Sequence, residues 1–361
     1  MMPSPLVYAT QGTRILFSSL KNRFAPKKYM GRANDICTQI VQDCWNGTFF
    51  MTSPNNFPQF WTRDFGWCVQ SLLKLKYDQE VQATLRYALN RFKKYNAITT
   101  TITPGGKPFD FPLPAVDSLP WLVHSLHLAK YPYYDQRAFL NKEVKKFFEK
   151  YIDAQTGLVK PELHVSSMKD FAVRKSSCYD NCMVGLLAKD LKAMKLDNLF
   201  EQYDYPALIK RHFWSGQYFY DDLTRQAYVA GDANVFPFLF GFCSDESMFL
   251  SALKQVQAAG LDQPLPLKYT ASRNGINFIA QEILFRDYES DSIWTHLGPL
   301  FIKVVHHYDP ELAKKYKEKY REVIEKQGNY LEVFRPDGKP FKSAVYYCDA
   351  GMLWAANYLT L

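Results

Sequence analysis

The chain has 361 residues, 47% hydrophobic and 22% charged, and 44 Lys and Arg against 36 Asp and Glu give it a formal charge of +8. That length admits two ordinary domains or one large single core. No run approaches the roughly eighteen apolar residues that span a bilayer, Met1 to Phe17 lacks the order of a secretory signal, and the basic residues are dispersed, so we expect a cytoplasmic protein with neither membrane nor nucleic acid as partner.

In chain order, residues 1–28 read as an N-terminal extension that packs on the rest of the chain. Apolar residues then recur at helical spacing. In 81–92 they are Val81, Leu85, Leu89 and Phe92, and in 312–323 they are Leu312, Tyr316, Tyr320 and Val323. Similar patterns predict helices near 31–45, 65–76, 118–130, 138–151, 179–195, 198–212, 233–243, 245–258, 276–286, 292–308 and 343–358, with hardly any strand. Short breaks rich in Gly and Pro, such as Thr103-Pro104-Gly105-Gly106 and Pro336-Asp337-Gly338, separate them, and no flexible linker divides the chain. The expectation is all-α: helical hairpins repeated about six times and closed into an (α/α)6 toroid, a single domain over 1–361. An open solenoid would need a fixed sequence period, and none is present.

The seven cysteines are scattered among apolar residues, which predicts buried thiols rather than disulfides. Cys178 and Cys182 share a helix face, but no second Cys/His pair completes a zinc set, so no metal is expected. No Gly-rich phosphate loop suggests a cofactor. Aromatics make up 16% of the chain, and where they stand beside Asp, Arg and Asn they suit a sugar, whose apolar face stacks on rings while its hydroxyls need polar partners.

Such mixtures occur at helix starts: Trp61-Thr62-Arg63-Asp64, Val116-Asp117-Ser118 followed by Trp121, Asp180-Asn181, Trp294-Thr295-His296, and Leu331-Glu332-Val333-Phe334 ahead of Pro336-Asp337-Gly338. In that order they resemble the six-hairpin glycoside hydrolases, namely glucoamylases, trehalases, neutral invertases and glucosidases related to glucosylglycerate hydrolase. The resemblance runs from about residue 30 to the C-terminus. It implies that Trp61, Arg63 and Asp64 bind the terminal sugar and that Asp117, in a segment similar to the Val-Asp-Ser of neutral invertases, is the general acid. It also implies that Glu332, in the loop before the last helix, is the general base. Trp121, Asp180, Asn181, Trp294 and His296 are expected to complete the substrate pocket.

Inverting cleavage of an acetal needs one carboxylic acid to protonate the leaving oxygen and one carboxylate to activate water, about 6.5–9.5 Å apart. Desolvation near Trp121 would suit Asp117 to the first role, and a wetter loop position near Arg335 would keep Glu332 ionised for the second. The same residues have plainer readings: Asp117 and Asp180 can cap helices, Arg63 and Asp64 can form a local ion pair, and Asp232 and Asn234 can serve a turn. The resulting expectation is an inverting, exo-acting hydrolase of a small, α-linked glucoside or saccharide, monomeric or a weak homo-oligomer. The alternatives are another sugar reaction on the same toroid, such as epimerisation or hydrolysis of an unsaturated uronide, and a non-catalytic sugar-binding scaffold.

Overall fold

The apolar stripe of Asp78–Tyr95 buries Val81, Leu85, Leu89 and Phe92 and leaves Lys93 and Lys94 outside, whereas Cys178–Ala193 is buried almost all round. A one-sided helix belongs on an outer layer and a fully apolar one inside. The computed structural model describes residues 5–165 and 167–361, and there the two kinds alternate. The inner helices are α3 (Thr62–Lys74), α5 (Ser118–Leu128), α7 (Cys178–Ala193), α9 (Phe236–Leu239), α11 (Leu297–Tyr308) and α13 (Ala355–Leu359). Each contacts the next, and α13 contacts α3, so the ring closes. Outside it, α4 (Asp78–Tyr95), α6 (Arg137–Tyr151), α8 (Tyr205–Phe213) and α12 (Pro310–Gln327) pack on α3, α5, α7 and α11. Helix α10 (Glu246–Ala258) packs on the short turn Asp232–Asn234 before α9. The last pair joins the two ends of the chain, with α2 (Ala33–Cys44) against α13.

Close approach between neighbours is secured at two glycines. A Cβ on Gly66 of α3 would fall 2.8 Å from the Trp121 side chain of α5, and one on Gly298 of α11 would collide with the Tyr320 hydroxyl of α12 and the Pro266 carbonyl. Helix starts are fixed by side-chain caps: Ser177 accepts from Asp180 N, Asp204 from Ala207 N, and Asp309 from Leu312 N just before Pro310.

The single toroid and its outer helices follow the expected pattern, and several boundaries differ. Residues 5–24 of the extension form a helix, α1 (Pro5–Phe24), that the spacing did not predict, while residues 1–4 lie outside the described residues. The expected helix over 276–286 is instead β5 (Asn277–Phe278) followed by a 3-10 turn, Ala280–Phe285. Over 343–358 only α13 is helical, because the chain before it bonds back to the Glu332 loop. Residues 233–243 reduce to two short turns; Pro237, in the first turn of α9, keeps that helix from continuing back into Asp232–Asn234, and Gly241 at a φ of 71° follows its end.

Candidate active site

Short strand pairs tie the loops at one rim of the ring to each other. β6 (Ile293–Trp294) pairs antiparallel with β7 (Val333–Phe334), and Thr295 N and Oγ1 both donate to the Glu332 carbonyl, at 3.2 and 3.0 Å. This brings Trp294 and His296 beside Glu332. β4 (Ala172–Val173) pairs with β5 and so fastens the loop carrying Asp170 to the Ala280–Phe285 turn. β1 (Phe60–Trp61) pairs with β2 (Thr101–Ile102), which in turn pairs with β3 (Pro108–Phe109), and this fixes Trp61 at the start of α3.

These loops enclose a cavity of about 470 Å³. Trp61, Arg63, Asp64, Trp294, His296 and Glu332 all line it. So do Trp67, Asp170, Tyr288, Glu289, Tyr346 and Trp354, which sequence reasoning did not single out as site residues. Trp67 had a usable signal, being one helical turn from Arg63. Trp354 and Tyr346 sit in a segment read as ordinary helix, and Asp170 and Glu289 belong to irregular chain with no motif.

Glu332 is 3% exposed, and both its carboxylate oxygens are engaged. Oε1 accepts from the Tyr288 hydroxyl at 2.7 Å, and Oε2 from the Tyr346 hydroxyl at 2.5 Å and the Asp349 amide at 2.8 Å. Burial raises its pKa above the usual carboxylate range, and these donors oppose the rise. The expected wet loop is therefore corrected: Arg335 is exposed to solvent, and three donors rather than a cation favour the charged form. Asp64 accepts from Trp354 Nε1 at 3.0 Å, and burial pushes its carboxyl up to about 7. Glu289 takes the amides of Asp170, Phe171 and Ala172, while burial and then the Asp170 charge push it up to about 8.

His296 stacks flat on Trp67, with ring centroids 4.1 Å apart, and its Nε2 lies 3.2 Å from the Tyr269 hydroxyl. Burial, and then the Arg63 charge, hold its pKa well below the ordinary value, so it is a neutral imidazole. Three lining side chains, Trp61, Trp67 and His296, carry buried ring nitrogens without a protein partner. Polar atoms left so on the wall of a cavity suit a ligand rich in hydroxyls.

Asp117, Trp121, Asp180 and Asn181 do not line this cavity. Asp117 is wholly buried at the start of α5; its Oδ2 accepts from Arg63 Nε at 2.5 Å and from the Tyr179 hydroxyl at 2.9 Å, while Oδ1 has no partner. Arg63, which does line the cavity, thus has Asp117 behind it, and the expected facing of Asp117 and Glu332 across one pocket is not the arrangement found. Trp121 packs on Gly66 and donates through Nε1 to Tyr179 at 3.0 Å. Asp180 exchanges hydrogen bonds with Ser177 at the start of α7, and Asn181 bonds Val159 N, Ser176 Oγ and the Ser177 carbonyl. Those two lie in the first turn of α7, where Ser177 is the cap, so the reading of them as helix caps is corrected as well.

No protein-family model matches the chain, and no curated protein matches it. Solved structures do, in fold. A GH63 mannosylglycerate hydrolase from Thermus thermophilus, in complex with Tris and D-glycerate, superposes with a TM-score of 0.62 at 10% identity, covering 91% of this chain and 100% of its own. A structure described as a wild-type glycosidase gives 0.61 at 11% identity, with 97% and 96% covered. A bacterial glucoamylase complexed with acarbose gives 0.65 at 12% identity, over 90% of this chain and 54% of its own. The fold is the six-hairpin toroid. All three similar structures carry it, and it stands here as one ring with the cavity at one rim. Among the described residues no helix is long and apolar enough to cross a membrane, and no group of three or more His, Cys, Asp or Glu could hold a metal. All seven cysteines are free and buried.

Proposed function

We propose that the protein is an inverting glycoside hydrolase that takes the end of a small, α-linked glucoside or saccharide, with Glu332 as the base. The observation that carries this reading is the setting of Glu332: one carboxylate held by three donors, on the wall of a cavity whose lining also includes Trp rings, Arg63 and three more carboxyls. Trp61, Trp67, Trp294 and Trp354 offer faces for a sugar ring, and Asp64 with Arg63 offers an acceptor and a donor for its hydroxyls. A buried carboxylate with a raised pKa is a stronger base than an exposed one, and its fixed orientation costs no rearrangement when it takes a proton from water.

In this reading Asp170 donates the proton to the leaving oxygen. It lines the same cavity, and its charge acts on Glu332. Its backbone amide is held by Glu289, which fixes the loop that presents it. Asp117 then supports the site indirectly by holding Arg63. One observation favours a second reading in which Asp117 is the acid, as its sequence position implied: its Oδ1 is buried without a partner, so a shift of Arg63 would uncover a carboxyl able to act.

The test is a screen of aryl α- and β-glycosides, trehalose, sucrose, maltose and glucosylglycerate, followed by NMR of the first-formed anomer of the released sugar. Inverted configuration, lost in Glu332→Gln, is the expected result. A retained anomer, or full turnover in Glu332→Gln, overturns the assignment.

A further inference from the structure

The cavity changes character from its wall to its mouth. The deep lining is polar and aromatic: Asp64, Trp67, His296, Glu332 and Trp354 are each at most 8% exposed. The mouth is aliphatic and aromatic. Helix α1 contributes Gly12, Ile15 and Leu16, which share one helix face, and the Ala280–Phe285 turn contributes Leu284 and Phe285. Leu16 is 38% and Leu284 51% exposed, although both belong to the cavity lining. Aliphatic side chains left open to water beside a binding cavity are candidates for burial by a ligand.

Charge at the cavity points the same way. Among the described residues that line it, Arg63 is the only cation, and its Nε is committed to Asp117. Four carboxyls, Asp64, Asp170, Glu289 and Glu332, share the space. Arg14 of α1 is turned to the Asn56 carbonyl and Gln59 Oε1, at 2.7 and 2.8 Å. Among the described residues, the surplus of Lys and Arg therefore adds no second cation to the cavity lining.

Resting on the glycosidase reading above, we propose that α1 and the Ala280–Phe285 turn form a subsite for an uncharged, apolar aglycone, so that the substrates are glycosides of hydrophobic alcohols rather than of acids or further sugars. The sugar occupies the Trp-lined depth, and the leaving group emerges between Leu16 and Leu284. Burying one methylene fully is worth about 0.8 kcal/mol, or about fourfold in affinity.

The experiment is calorimetric binding of methyl and hexyl 1-thioglycosides of glucose and mannose, which are not hydrolysed, to the full chain. The hexyl compound of the preferred sugar should bind about tenfold or more tightly than the methyl one. Leu16→Asp and Leu284→Asp, both at exposed positions, should bring that ratio near one. Equal affinity for the two compounds, no binding of either, or an unchanged ratio in both variants overturns the proposal. A hexyl preference in a protein that hydrolyses no O-glycoside would remove the hydrolase reading and leave the apolar subsite standing.

Discussion

Arg63 Nε donates to Asp117 Oδ2 at 2.5 Å, joining the first turn of α3 to the start of α5. Burial favours the neutral form of Arg63, yet the charge of Asp117, with Tyr179, Asp170 and Asp64 behind it, together outweighs burial and keeps the guanidinium firmly protonated. Breaking such a pair from one side strands a buried charge, at about 3–5 kcal/mol.

Kinetics separates the two candidate acids. Asp117→Asn should lower the thermal midpoint clearly in calorimetry along with activity. Asp170→Asn should cut kcat by about 10²–10⁴-fold, the range for loss of a general acid. If Asp170→Asn keeps full activity while Asp117→Asn loses it with little loss of stability, Asp117 is the proton donor.

Tyr346 supplies one of the three donors that oppose the effect of burial on Glu332. Tyr346→Phe removes a bond to the charged form, so the Glu332 pKa should rise further. The acid limb of the kcat/KM profile, along which activity is lost as pH falls, should move to higher pH. A limb that stays in place would mean that Glu332 is not the group that must be ionised.

Stability should fall as pH rises through neutrality. Burial raises Asp64 and Asp349 to about 7 and Glu289 to about 8, so the folded chain holds protons that the unfolded chain has already released. Each contribution is fully present below the ordinary carboxylate pKa and is lost as pH rises through the folded value; between, the slope is about 1.4 kcal/mol per pH unit for each proton held. His296, kept neutral, opposes them below its ordinary pKa but is a single group. Urea midpoints measured between about pH 5 and 8 should therefore decline with pH; a rise across that window would contradict the burial of these carboxyls.

Gly298→Ala should be the most damaging one-carbon change among the inner helices. Its Cβ would meet the Tyr320 hydroxyl, itself bonded to the Pro266 carbonyl at 2.6 Å, and that carbonyl as well. Overpacking of this kind costs about 1–3 kcal/mol or more, and Gly66→Ala against Trp121 should follow it. Thermal midpoints of the two variants near that of the parent would show that α11–α12 and α3–α5 can separate to admit a methyl.

The toroid was legible because its physics is local. A stripe of Val81, Leu85, Leu89 and Phe92 can be satisfied only by burying one helix face. Of the ten residues that stood out through the order of their segments and the resemblance it carries, Trp61, Arg63, Asp64, Trp294, His296 and Glu332 line the cavity, whereas Asp117, Trp121, Asp180 and Asn181 do not. Which carboxyls share that cavity was decided by tertiary structure alone. Asp117 and Asp170 are both acids in loops before inner helices; Arg63 and Tyr179 claim the first, while the pairing of β4 with β5 and the bonds from Glu289 carry the second to the cavity wall. The α1 helix and the collapse of 276–286 into a strand and a turn belong to the same class. Their residues are set by contacts with distant loops, such as Arg14 with Asn56 and Ala172 opposite Phe278, and spacing along the chain carries no record of such partners.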